Sequence, residues 1–154
     1  MDFFTANETL NAADVLDVET MELLVRVEAS GEDFYLAMAD SIGNEDAAEL
    51  LRRNGREEMG HARRIQRAIA IKTGTELDPD QVIERFSIKG LPDPIDPALF
   101  PAIAEGEMKG DAGYQKWADA EENPEVQRLL RLNGREETKH AERLRQVSEI
   151  LGVA

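Results

Sequence analysis

Residues 50–64 read LLRRNGREEMGHARR and residues 129–143 read LLRLNGREETKHAER. The two stretches stand at a fixed offset of 79 residues, and segments 44–66 and 123–145 agree at 12 of 23 positions without a gap. A repeat of this size organises the whole chain, so it is read before any local signal. The same offset carries Glu28 onto Glu107, Gly31 onto Gly110 and Tyr35 onto Tyr114. Met21, Leu24, Val25, Glu28, Tyr35, Met38 and Ile42 recur at three- and four-residue steps, as do Leu51, Asn54, Glu58, His61, Ile65 and Ile69. That period belongs to the face of a helix. The repeating unit is a helical hairpin, present twice.

The punctuation around the repeat sets the element boundaries. Gly43-Asn44 supplies a glycine past one helix end and a capping side chain for the next start. Glu45 and Asp46 then fall in the first turn, where the helix dipole favours negative charge. Asn123-Pro124 plays the same part in the second copy, with proline at the first helical position. The spacing predicts helices over 18–42, 45–72, 97–121 and 124–151, the third opening at Asp96-Pro97, after an N-terminal arm over 1–17. That arm, with Phe3 and Phe4, offers nothing beyond a surface for a neighbouring subunit.

The hairpins occupy about 18–72 and 97–151, joined through 73–96, which holds three of the six prolines. Asp78-Pro79 is a start signal for one short helix through Phe86. A connection of this length inside a bundle implies a crossover, and the short, long, short loop pattern is that of an all-α, ferritin-like four-helix bundle over 18–151.

Composition narrows the function. The chain has 154 residues, enough for one domain with a real core, with 32% charged and only 5% aromatic residues. Its formal net charge of -14 argues against nucleic acid, because phosphate neutralisation needs a basic face. No run approaches the apolar length of a membrane span, and no signal-peptide pattern opens the chain, so a cytoplasmic location is expected. The absence of cysteine excludes disulfides, zinc ribbons, iron–sulfur clusters and thiol catalysis.

The only histidines, His61 and His140, each follow a glutamate at i−3, Glu58 and Glu137. Residues three apart share a helical face, so carboxylate and imidazole can reach one ion or two adjacent ions. Adding Glu28 and Glu107 gives one glutamate from each of two helices and Glu-x-x-His from each of the other two. That is the constellation of di-iron and di-manganese carboxylate sites. Four such glutamates would be costly to bury unpaired, and two divalent cations with neutral imidazoles balance them. Hard oxygen ligands with two imidazoles suit iron or manganese, with zinc as a substitute.

Over residues 18–151 the chain resembles the rubrerythrins of the ferritin-like superfamily. The resemblance is carried by Glu28 with Tyr35, Glu57-Glu58 before His61, Glu107 with Tyr114, and Glu136-Glu137 before His140. It implies terminal ligands at Glu28 and Glu107, bridging ligands at Glu58 and Glu137, and one metal for each of His61 and His140. It also implies two iron ions, a homodimer, and reduction of hydrogen peroxide or dioxygen. Ferrous iron oxidation for iron handling or storage is the alternative, and a metal-free helical interaction protein the second. Two departures stand out. The rubredoxin domain of the family is missing, so electrons must come from an external donor. A further glutamate expected three residues after Glu107 is replaced by Gly110, which puts redox-linked ligand exchange in doubt.

Other positions carry paired readings. Glu32 and Asp111, one turn beyond Glu28 and Glu107, are auxiliary ligands or an entry path for ferrous ions, or else a salt-bridged surface pair. Gly31 and Gly110 leave space for the oxidant beside the metals, or permit close helix approach. Tyr35 and Tyr114 hydrogen-bond ligand carboxylates, or are core tyrosines with other partners. Asn54 and Asn133 orient the bridging candidates, or cap or face solvent; Glu57 and Glu136 are expected to pair with arginines.

Overall fold

A computed structural model describes residues 1–153 and, among them, holds five α-helices, one short 3-10 turn and no strand. The helices are α1 (Phe3–Asn11), α2 (Val18–Ser41), α3 (Glu45–Thr73), α4 (Phe100–Ala120) and α5 (Pro124–Ile150). Among the described residues, no helix is long and apolar enough to cross a membrane.

The expected punctuation is at work at the helix ends. Asp17 Oδ1 accepts from the Thr20 amide at 2.7 Å, and Asn44 Oδ1 from that of Ala47 at 3.0 Å. Asn123 Oδ1 accepts from both Glu125 and Val126, so each start satisfies amides that the helix leaves without partners. Gly43 takes φ 66° past the end of α2, a left-handed turn that costs other residues dearly.

The long helices form a bundle in which α2 packs along α3, α4 along α5, and α3 against α5. The core includes Met21, Leu51, Ile65, Leu130, Leu144 and Val147, all fully buried. Along the buried stripe of α3, Ala47, Leu51, Ala62 and Ile65 are interrupted by Asn54, Glu58 and His61. The equivalent stripe of α5 is interrupted by Asn133, Glu137 and His140. Polar groups therefore occupy the middle of an otherwise apolar seam.

Three sequence expectations need correction. The N-terminal arm is a helix packed on this chain: Asp2 caps α1, and Phe3, Ala6 and Leu10 turn one buried face inward. Residues 79–86 form no helix. Instead, Phe86 N donates to Ser30 Oγ at 2.8 Å, and the Arg26 guanidinium lies 3.9 Å from the Phe86 ring centre. These contacts with α2, far away in the sequence, outweigh the local Asp-Pro start signal. At Asp96-Pro97 the chain first makes a 3-10 turn, Pro97–Leu99, and the α-helix begins at Phe100.

Candidate metal centre

Glu28 on α2, Glu58 and His61 on α3, Glu107 on α4, and Glu137 and His140 on α5 converge between the helices. They fall into two overlapping groups, Glu28, Glu58, His61 and Glu137, and Glu58, Glu107, Glu137 and His140. Within each group the possible ligand atoms lie within 4.8 Å of one another, and Glu58 and Glu137 belong to both. Each group can hold a metal ion. Both histidines are 0% exposed, and Glu28, Glu58 and Glu137 only 6 to 7%.

Both imidazoles present Nδ1 to the carboxylates. His61 Nδ1 is 2.8 Å from Glu137 Oε1 and 3.3 Å from Glu28 Oε2, while His140 Nδ1 is 2.8 Å from Glu58 Oε1. The two rings stack with centres 5.2 Å apart. Despite these short separations, Glu58 Oε1, Glu137 Oε1 and His140 Nδ1 are buried with no hydrogen-bond partner of suitable geometry. Orphaned polar atoms in a protein interior cost free energy, and here they are metal-ligating atoms aimed at one another. These donors are of the kind that could hold a metal ion in each group.

The remote side of each imidazole is held from the opposite repeat. His61 Nε2 meets Glu136 Oε1 at 3.1 Å, and Arg64 donates to the same oxygen at 2.7 Å. His140 Nε2 meets Glu57 Oε1 at 3.3 Å, and Arg143 donates to it at 2.8 Å. A carboxylate on the far nitrogen fixes ring orientation and makes the near nitrogen a better ligand. Glu57 and Glu136 do pair with arginines, and each also supports a histidine, a role the sequence reading missed. The signal was present: Arg64 and Arg143 are identical in the aligned repeat.

Asn54 and Asn133 are fully buried and bind across the repeats, to the backbone oxygens of His140 and His61, each at 3.2 Å. Their amide oxygens accept from Arg143 and Arg64. Tyr35 donates to Glu107 at 2.5 Å, and Tyr114 to Glu28 at 2.9 Å, so each tyrosine supports the glutamate of the other copy.

Glu32 and Asp111 stand outside both groups. Glu32 pairs with Arg85 at 3.1 Å, while Asp111 accepts from Thr138 and Gln115. The space at Gly31 is taken by the Glu58 carboxylate: an added Cβ would sit 2.5 Å from Glu58 Oε2. At Gly110 it would sit 3.4 Å from Glu137 Oε2.

Electrostatics follows from packing this many carboxylates out of water. Burial, and next the charge of Glu28, pushes Glu58 up to about 8. Burial, and next the charge of Glu107, pushes Glu137 well above the ordinary carboxylate range. Burial alone would lower the histidines, but contacts with Glu136 and Glu28 hold His61 up at about 10. Contacts with Glu107 and Glu57 raise His140 to about 12 against the same opposition. The hydrogen bond to His61 is the main cause that brings Glu136 down to about 2. Burial opposes ionisation of Glu57, yet His140 and Arg143 outweigh it and hold the carboxyl well below its usual range. Burial pushes both tyrosines well above 10, so they remain hydrogen-bond donors. Metal ions would compete with protons for these carboxylates and imidazoles.

No family model, curated protein or solved structure matches this chain.

Proposed function

We propose that this chain is a ferritin-like bundle of two hairpins that reduces hydrogen peroxide at a carboxylate-bridged di-iron centre, with dioxygen as the slower oxidant. The observation that carries the reading is the pair of overlapping ligand groups sharing Glu58 and Glu137. Two adjacent ions with common carboxylates are the arrangement for a two-electron reaction. The motif resemblance to the rubrerythrins supports the same reading.

In this proposal Glu28 and His61 would hold one ion, Glu107 and His140 the other, and Glu58 and Glu137, which belong to both groups, would be shared. When bound, two ferrous ions would supply one electron each, and Lewis acidity, to cleavage of the peroxide oxygen–oxygen bond. Two protons and two electrons convert one hydrogen peroxide into two waters. The Glu57–Arg143 and Glu136–Arg64 pairs keep the imidazoles facing inward, and Tyr35 and Tyr114 fix the outer carboxylates. Because the chain has no cysteine, the electrons are restored by a separate donor.

The test is stopped-flow oxidation of anaerobically iron-loaded protein, followed by absorption. Oxidation by peroxide is expected at least about tenfold faster than by dioxygen at equal concentration, a barrier difference of about 1.4 kcal/mol. Equal or faster oxidation by dioxygen favours iron handling instead, and absence of peroxide-dependent oxidation overturns the reading.

A further inference from the structure

Over the carboxylates lies a cavity of about 280 Å³. One face of α1, through Phe3, Asn7 and Leu10, lines it together with α2 and α4. Phe3 packs on Phe34 with ring centres 5.5 Å apart, and Trp117 Nε1 donates to Ala13 O at 2.8 Å, tying the segment after α1 to α4. Leu24, Val27, Phe34, Ile103 and Trp117 make apolar walls, and Glu28, Glu58, Glu107 and Glu137 are the acidic lining.

Hydrogen peroxide does not need this room. A water takes about 30 Å³ in the liquid, and peroxide adds only one oxygen atom. The cavity approaches the size and has the apolar lining of sites for small organic molecules. Its lining also contains no lysine, arginine or histidine, while four carboxylates face it. With the carboxylates occupied by metal, the lining still offers an organic anion no basic side chain to pair with, which favours an uncharged ligand.

Resting on the peroxidase reading, we propose that the substrate class is an uncharged organic hydroperoxide, ROOH. Its small alkyl or aryl group lies against Leu24, Val27, Phe34, Ile103 and Trp117, and its peroxide end points to the carboxylates. The oxygen–oxygen bond breaks; two electrons from the two ferrous ions and two protons from solvent yield ROH and one water. A one-electron donor outside the chain restores each electron.

Trp117 is the single tryptophan of the chain and lines the cavity, so its emission reports occupancy directly. The probe is 2-phenylpropan-2-ol, titrated into zinc-loaded protein, where no redox step occurs. Gly106→Leu narrows the cavity at a helical position where an added Cβ meets nothing within 4 Å. Gly113→Leu has the same freedom but lies outside the lining and serves as the control.

The expected result is a saturable change in Trp117 emission, weakened about tenfold or more by Gly106→Leu, as for a steric misfit in an apolar pocket, and unchanged by Gly113→Leu. In iron-loaded protein, Gly106→Leu is expected to lower the ratio of oxidation rates with cumene hydroperoxide and hydrogen peroxide by a similar factor. No saturable change in the unmodified protein, or equal affinity in Gly106→Leu, overturns the assignment. If hydrogen peroxide oxidises the iron-loaded protein while the alcohol leaves Trp117 unmoved, the cavity assignment falls and the peroxidase reading stands. If the alcohol binds and neither peroxide oxidises the iron, the hydroperoxide assignment falls with the peroxidase reading.

Discussion

In the first hairpin, α2 with α3, a methyl group on Gly31 would press to 2.5 Å from Glu58 Oε2; in the second, α4 with α5, one on Gly110 would rest 3.4 Å from Glu137 Oε2. One turn further along, Glu32 turns out to Arg85 in the crossover, while its counterpart Asp111 turns in to Thr138 and Gln115. Met59 and Leu36 stand where the second copy has Thr138 and Gln115, so the first copy cannot form that polar web. By contrast, the tyrosines, the asparagines, the Glu57 and Glu136 carboxylates and the Arg64 and Arg143 guanidiniums are identical in both copies and used reciprocally. Each reaches into the other hairpin. A residue whose partner lies in the opposite copy meets the same requirement from both sides, and there the repeats match. Where a residue is satisfied within its own hairpin or by the crossover, the repeats are free to diverge, as at Glu32 and Asp111, although the capping residues Asn44 and Asn123 still match.

The two glycines give the sharpest way to break this comparison. Gly31→Ala is expected to displace the Glu58 carboxylate and weaken zinc binding by about 100-fold, whereas Gly110→Ala, in ordinary van der Waals contact, changes it less than about threefold. Competition titration against a chelator measures both. Equal losses would mean that the two sides of the centre are not distinguished by packing.

Reciprocity predicts equal, smaller effects for the carboxylates behind the histidines. Glu57→Gln and Glu136→Gln should each lower metal affinity by about 10- to 100-fold through the imidazole of the opposite hairpin. The same titration read by imidazole NMR should show Glu57→Gln perturbing His140 first and Glu136→Gln perturbing His61 first. Perturbation of the histidine on the same helix would contradict the crossed arrangement.

The smallest effects belong to the diverged positions. Asp111→Ala removes the acceptor for Thr138 and Gln115 and should cost about 1 kcal/mol in urea unfolding. Glu32→Ala breaks a partly exposed ion pair and should cost about 0.5 kcal/mol or less. Neither should change metal content; a loss of metal in either variant would restore the auxiliary-ligand reading.

Much of this was legible because the repeat states each half of the centre twice. The four long helices end within one residue of the positions their caps and glycines indicate, apart from the 3-10 turn before α4. The six glutamates and histidines that the structure gathers are those named by the offset of 79 residues. Helix α1 was not legible, because Phe3, Ala6 and Leu10 are too few to set a period, and the Phe34 ring on which Phe3 packs lies far along the chain. Residues 79–86 carried a local start signal that packing of Phe86 on α2 overrode. The second role of Glu57 and Glu136 was only half visible: the repeat matches Arg64 to Arg143, but spacing along α3 or α5 does not show that arginine and histidine both come from the facing helix.

Whether two ions share Glu58 and Glu137 is decided by anaerobic ferrous titration, with bound iron counted after gel filtration. Saturation at about two irons per chain is predicted, falling below about one-half in Glu58→Ala, which removes a ligand common to both groups. Glu28→Ala, which touches only one group, is predicted to retain about one. Saturation at one iron or fewer in the unmodified chain, or two irons still bound in Glu58→Ala, would contradict a centre built on shared carboxylates.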